Sequence, residues 1–221
     1  MPRLFFPLCF PLCLAIIMTS ILSAAADPDD AEAAYIEKFL EGNPRVESPP
    51  TLKEYATPER FDELYLGETF EKSLENVSND NGGIAWGLAY QMTALNDMYR
   101  ATAETRYLDA NLRLINAILE ATDEKRGKEL WTARVAPAWG CDKYAQRGRA
   151  VFAVHTGIIT APMFEFLILA KQSDSFRAAH GSDFERIAAG ATAALAVHDR
   201  QWRDGPVDGE GHFIGLDQED I

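Results

Sequence analysis

The clearest periodic pattern runs from Gly82 to Ala121, GGIAWGLAYQMTALNDMYRATAETRYLDANLRLINAILEA. Ile84, Leu88, Met92, Leu95 and Tyr99 step by four, four, three and four, the spacing of one helical face. Trp86, Tyr90, Thr93 and Asp97 make a second stripe on a different face, so the spacing predicts a helix from Ile84 to Arg100 enclosed on two sides. Ala101–Glu104 reads as the connection, and Thr105 as the cap of a second helix. In that helix Leu108, Leu112, Ile115 and Leu119 form a buried stripe, while Asp109, Arg113, Asn116 and Glu120 form a wet one. The contrast predicts a hairpin with the first helix inside and the second outside.

The flanking segments extend this plan. Thr57 followed by Pro58 is a helix start, with a helix expected to about Leu74. Asn79–Gly83 is a turn cluster. Thr122 to about Thr156 lacks periodicity. Its Trp131, Trp139, Tyr144 and Phe152 would be unfavourable in water, which predicts an ordered loop. Pro162 fits the first turn of a helix but not its middle, so a helix is expected from about Thr160 to Lys171. Ser182-x-x-Glu185 is a capping box opening a further helix with Phe184, Ile187, Ala191 and Leu195 at helical spacing. The segment after Trp202, RDGPVDGEGHFIGLDQEDI, reads as a turn-rich tail. The expected fold class is all-α, an α/α toroid built from helical hairpins. About three hairpins fit here, fewer than the six of a closed ring.

The amino terminus changes the domain plan. Arg3, the mainly apolar Leu4–Leu22 and the small residues Ser23–Ala26 form a secretory signal peptide, residues 1–26. Residues 27–57 read as a tether and residues 58–221 as the helical domain. A secreted or periplasmic location follows, with no stable membrane insertion once the signal is cleaved. Beyond the signal, Cys141 is the one cysteine, so no internal disulfide is expected. The net charge of the whole chain, −13, disfavours nucleic acid and anionic membranes as partners.

Trp86-Gly87, Met98–Thr102 and Tyr107–Ala110 together resemble a recurring hairpin of α/α-toroid carbohydrate proteins. These include the six-hairpin glycosidases, polysaccharide lyases and the helical domain of glucuronyl C5-epimerases. The shared elements are an aromatic-glycine start, a Tyr-x-Ala-Thr turn and a Tyr-Leu-x-x-Ala outer helix. Here the alanine comes one place early, at Ala110. The resemblance covers about 40 residues well and implies a toroid fold and a carbohydrate link, but carries no catalytic signature. A tetratricopeptide array is the rival, but its period is about 34 residues. The two expected hairpins here start much further apart, at Ile84 and Thr160.

Several residues could carry chemistry. The segment from Asp123 to Arg149 holds Lys125, Arg126, Lys128, Arg134, Lys143, Arg147 and Arg149 against four acids, a basic island in an acidic chain. Trp131 and Trp139 lie within it. Indole faces stack on sugar rings, and arginine forks match carboxylates, which suits a uronic acid. The plainer reading is surface pairing of the charges and core packing of the tryptophans. Trp86, Tyr90 and Asp97 could floor a sugar site or pack the core. His155, at the approach to an inner helix, is a candidate acid or base, as is Glu165 within PMFEFLILA. The four histidines lack metal-ligand spacing, so no metal or other cofactor is expected. The expected function is an exported protein that binds or processes a saccharide, by hydrolysis, elimination or epimerisation. The alternative is a non-catalytic helical scaffold for a protein partner.

Overall fold

The computed structural model describes Lys38 and residues 57–214. The expected signal peptide, residues 1–26, and the tether, residues 27–57, lie outside the described residues apart from Lys38 and Thr57. The described chain is predominantly helical. It begins with α1 (Pro58–Tyr65), where the Thr57 hydroxyl accepts from the Arg60 N–H at 3.2 Å and Pro58 occupies the first turn. The chain breaks at Gly67 and resumes as α2 (Glu68–Glu75), so two short helices stand where one was expected.

Ile84–Leu88 forms a π-helical turn, with the Ala89 N–H reaching back to Ile84, and runs directly into α3 (Ala89–Thr102). Ala103, at φ 58°, ends α3 with its N–H on the Tyr99 carbonyl at 2.8 Å. Next come α4 (Thr105–Leu119) and the single turn α5 (Asp123–Arg126). The long helices α6 (Ala153–Ala170) and α7 (Asp174–Ala196) follow. α7 is two segments joined across a kink at His180; it opens at Ser173, whose hydroxyl accepts from the Phe176 N–H, so Ser182 and Glu185 of the expected capping box lie inside the helix instead of opening it. The expected turn-rich tail instead holds a small antiparallel hairpin, β1 (Trp202–Asp204) with β2 (Gly211–Phe213), Trp202 facing Phe213.

α3 packs on α4 and α6 on α7, while α3 also lies along α6 and α4 along α7. Two helical hairpins therefore stand side by side. Phe166 joins Phe176 and Phe184 between α6 and α7, with ring centroids 6.1 and 6.3 Å away. A polar ladder ties α4 to α3 and α3 to α6. The Asn111 side-chain amide donates to the Met92 carbonyl at 3.0 Å and to Asn96 Oδ1 at 2.7 Å. Asn96 in turn donates to the Pro162 carbonyl and to Glu165 Oε2, both at 3.0 Å. Because both asparagines are fully buried, each bond would be costly to lose, and the ladder fixes the registers of α4, α3 and α6.

Two expectations about these helices are corrected. The hairpin's enclosed member is α4, not α3. Tyr107, Leu108, Leu114, Ile115 and Ile118 have no exposed surface, whereas Trp86, Tyr90, Thr93 and Asp97 all face outward. The reason is the preceding segment. Phe61 meets Tyr107 edge-on at 5.8 Å, and Glu71 pairs with Arg113 at 2.7 Å, so α1 and α2 cover α4. The second expectation concerns α6, which begins at Ala153 and carries Pro162 in its interior. Proline forfeits one intrahelical bond there, but α6 is apolar on nearly every side and burial holds it. α6 is also long and apolar enough to cross a membrane by length and composition, with 56% of it buried inside the fold.

The irregular segment between α4 and α6 is ordered, as expected. The Cys141 and Ala150 backbones exchange hydrogen bonds of 2.8 and 3.1 Å. Arg149 then closes it. Its Nε and Nη2 reach the two Asp123 oxygens at 2.9 and 2.6 Å, and its Nη1 reaches Asp80 at 2.7 Å and Asp142 at 2.8 Å. Lys128 adds bonds of 2.8 and 2.7 Å to Asp80. The Arg149 side chain is 10% exposed and that of Asp123 0%. These cations hold the Asp80 carboxyl down to about 2, against its burial. Asp123→Ala leaves this guanidinium short of its most buried partner. The expected cost is about 3 kcal/mol, read from urea unfolding, at the low end for a broken buried pair because Asp80 and Asp142 remain.

Candidate functional site

The turn at Asn79–Gly83 sets the site. The Asn79 Oδ1 accepts from the Ala85 N–H at 3.2 Å, capping the π-helical turn, and the Gly82 N–H closes on the Asn79 carbonyl at 2.9 Å. Its amide nitrogen donates to the Trp139 carbonyl at 3.0 Å and lies 3.4 Å from His155 Nδ1. A backbone donor and a backbone acceptor thus fix which end of the Asn79 amide is which. The nitrogen faces His155, so Nδ1 accepts and the ring proton sits on Nε2.

His155 occupies the first turn of α6 and is 3% exposed. Three aromatic rings surround it: Trp86 at 5.5 Å and Tyr144 at 5.7 Å, both edge-on, and Phe152 at 5.3 Å. Burial among them pushes its pKa below the ordinary value of 6.5. The ring is therefore neutral near pH 7, with Nε2 as a hydrogen-bond donor. Gly82 makes this packing possible. It has φ +85°, and a β-carbon there would lie 2.7 Å from Trp86 Cδ1 and 3.1 Å from Tyr144 Cε2. Only glycine combines that backbone with that clearance.

Beside the aromatic box lies a cavity of about 300 Å³. Trp131, Tyr144 and Phe152 form its apolar wall, and Gln146, Arg147 and Gln201 supply polar groups. The Arg147 guanidinium stands 5.2 Å from the centre of the Trp131 ring. Gln201 is buried and in contact with His198 through its Oε1, and His198 reaches the Thr156 hydroxyl at 2.8 Å. Trp131 is positioned by its backbone N–H, which donates to the Arg149 carbonyl at 2.9 Å. The salt-bridge cluster therefore sets one wall of the cavity.

The residues singled out from sequence divide. Trp86 and His155 come together, and Trp86 and Tyr90 present exposed aromatic surface, 45% and 57%. Trp131 lines the cavity. Trp139 does not present a face to any ligand. It is 1% exposed and its indole N–H donates to the Ile118 carbonyl at 2.7 Å, so it is a core residue. Arg134 lies in a different depression, with Pro137 and Arg200. Asp97 pairs with Arg100 at 2.6 Å on the outer surface. Glu165 is engaged by Arg100 and Asn96. It lies ten residues after His155 in α6, about 15 Å along the axis, so the two candidate catalytic groups do not share a site.

Sequence reasoning passed over Asn79, Tyr144 and Phe152 as site residues. Asn79 carries the signal most open to recovery, an asparagine two places before an Asn-Gly-Gly turn that opens a helix. Among the described residues no group of three or more acidic, histidine or cysteine side chains could hold a metal ion. Compared with known proteins, the chain matches no family model, no curated protein and no solved structure.

The histidine gives a pH dependence of definite sign. A depressed folded-state pKa contributes stability that is full above the unfolded value near 6.5 and is lost as pH falls through the folded value. Urea midpoints measured from about pH 8 to about pH 5 are expected to decline below about pH 6.5. His155→Gln, whose side-chain oxygen can still accept from Asn79, removes that component of the decline.

Proposed function

We propose that this protein is an exported carbohydrate-binding protein of the α/α-hairpin type, holding a saccharide in the cavity between Trp131, Tyr144 and Phe152. The observation that carries the reading is the composition of that cavity. Aromatic rings on one side suit the apolar face of a pyranose, and two glutamine amides and a guanidinium suit its hydroxyl and carboxylate groups. Arg147, beside Trp131, would pair with a uronic acid carboxylate. The resemblance of the Trp86–Ala110 region to toroid carbohydrate proteins points the same way.

The chemistry around the cavity favours binding over turnover. Hydrolysis calls for two carboxylates across the bond. Asp80, Asp123 and Asp142 are engaged by Arg149, and Glu165 by Arg100. His155 is 3% exposed and stands behind the cavity wall, and with its proton on Nε2 it cannot take a proton at that atom. A second reading, a scaffold for a protein partner, draws on the outward faces of the π-helical turn, α3 and α6. There Trp86, Tyr90, Val154 and Ile168 are exposed.

Titration calorimetry of the full chain with uronic acids and neutral oligosaccharides separates the two. Trp131→Ala is expected to weaken saccharide binding at least tenfold, about 1.4 kcal/mol. Its thermal midpoint should change little, because the ring is partly solvent-facing. Trp139→Ala is expected to unfold the protein at lower urea instead, by about 3–5 kcal/mol. Heats unaltered by Trp131→Ala would remove the saccharide site.

A further inference from the structure

A second concavity adjoins the first. Ala153 walls both, and Gln201 of the first is followed directly in the chain by Trp202 of the second. The second has a volume of about 430 Å³ and lies between α6, the end of α7 and the β1–β2 hairpin. Trp202 and Phe213 provide its apolar surface. The Trp202 indole N–H donates to Asp204 Oδ1 at 2.9 Å and the ring meets Phe213 at 5.1 Å, so the indole is held in place while staying partly exposed. Asp199 brings a carboxylate to the same cavity.

Gly157 is an independent observation. It lies in the interior of α6, where glycine is the least favourable residue after proline. A β-carbon there would meet no atom within 4 Å, so packing does not require a glycine. The backbone is nevertheless bare where it faces this cavity. A flat ring lying against α6 is the kind of occupant that such a surface accommodates.

We propose that the Gly157–Trp202–Phe213 cavity is a second sugar subsite, continuous with the first across Ala153, so that the ligand is an oligosaccharide rather than a single sugar. This rests on the saccharide reading above. The two subsites differ in charge. Arg147 suits a uronic acid in the first, and Asp199 repels a carboxylate in the second. The ligand is therefore a uronic acid joined to neutral sugars.

The test compares glucuronic acid with glucuronosyl-xylotriose by titration calorimetry on the full chain. The wild type is expected to bind the tetrasaccharide at least about tenfold more tightly than the monosaccharide. Gly157→Leu and Trp202→Ala each collapse that ratio towards one and leave glucuronic acid binding unchanged. Gly157→Ala raises the thermal midpoint, showing that the fold does not depend on the glycine. A ratio near one in the wild type overturns the second subsite. So does an undiminished ratio in both variants, while Trp131→Ala still weakens both ligands and the first subsite stands. Absence of binding by the wild type to either sugar overturns the saccharide reading and the subsite together.

Discussion

A carboxylate with no exposed surface must have a counter-charge, and Asp123 has Arg149. The segment between α4 and α6 has few regular backbone pairings, so its shape depends on this fork of hydrogen bonds and on the Cys141–Ala150 bridge beside it. Arg149 also reaches Asp80, in the turn that opens the π-helical segment. One guanidinium thus joins the loop that carries Trp131 and Tyr144 to the turn that carries Asn79 and Gly82. Trp86 follows the turn on one side of that link, and Trp131, Tyr144 and Phe152 belong to the loop on the other.

The site inherits its chemistry from this arrangement. Asn79 is held at both ends by backbone groups, and so it imposes a single tautomer on His155. The imidazole lies among rings, which keeps it uncharged. The uncharged ring completes the packing of Trp86, Tyr144 and Phe152. The acidic side chains near the cavity are consumed in holding the loop.

The parts of the fold legible in the sequence were those written in local periodicity. The α4 stripe and the Thr57-Pro58 start are properties of neighbouring residues, and both stand in the structure. Enclosure was misjudged because a stripe records that a face is apolar, not that anything covers it. Phe61, Phe70 and Glu71 lie on the side of α4, and nothing in the 84–100 run could reveal that. Pro162 misplaced the start of α6, since the rule against interior proline is local whereas the burial that overrides it is tertiary. Trp139 and Trp131 are indistinguishable by composition, and the Ile118 carbonyl that satisfies the indole N–H of the buried one is a tertiary partner. Asn79 acts across 60 and 76 residues of sequence, a range at which no spacing rule operates.

The π-helical turn at Ile84–Leu88 acts as a phase shifter. A wide turn holds one more residue than an α-turn, and each residue corresponds to about 100° of rotation around the axis. Trp86 and the Asn79 cap on one side, and the Asn96 ladder on the other, are therefore in register only because of that extra residue. Shortening the segment by one position would leave its composition almost untouched while turning the indole away from His155. The length of this stretch, more than the identity of its apolar residues, is what couples the core ladder to the aromatic box.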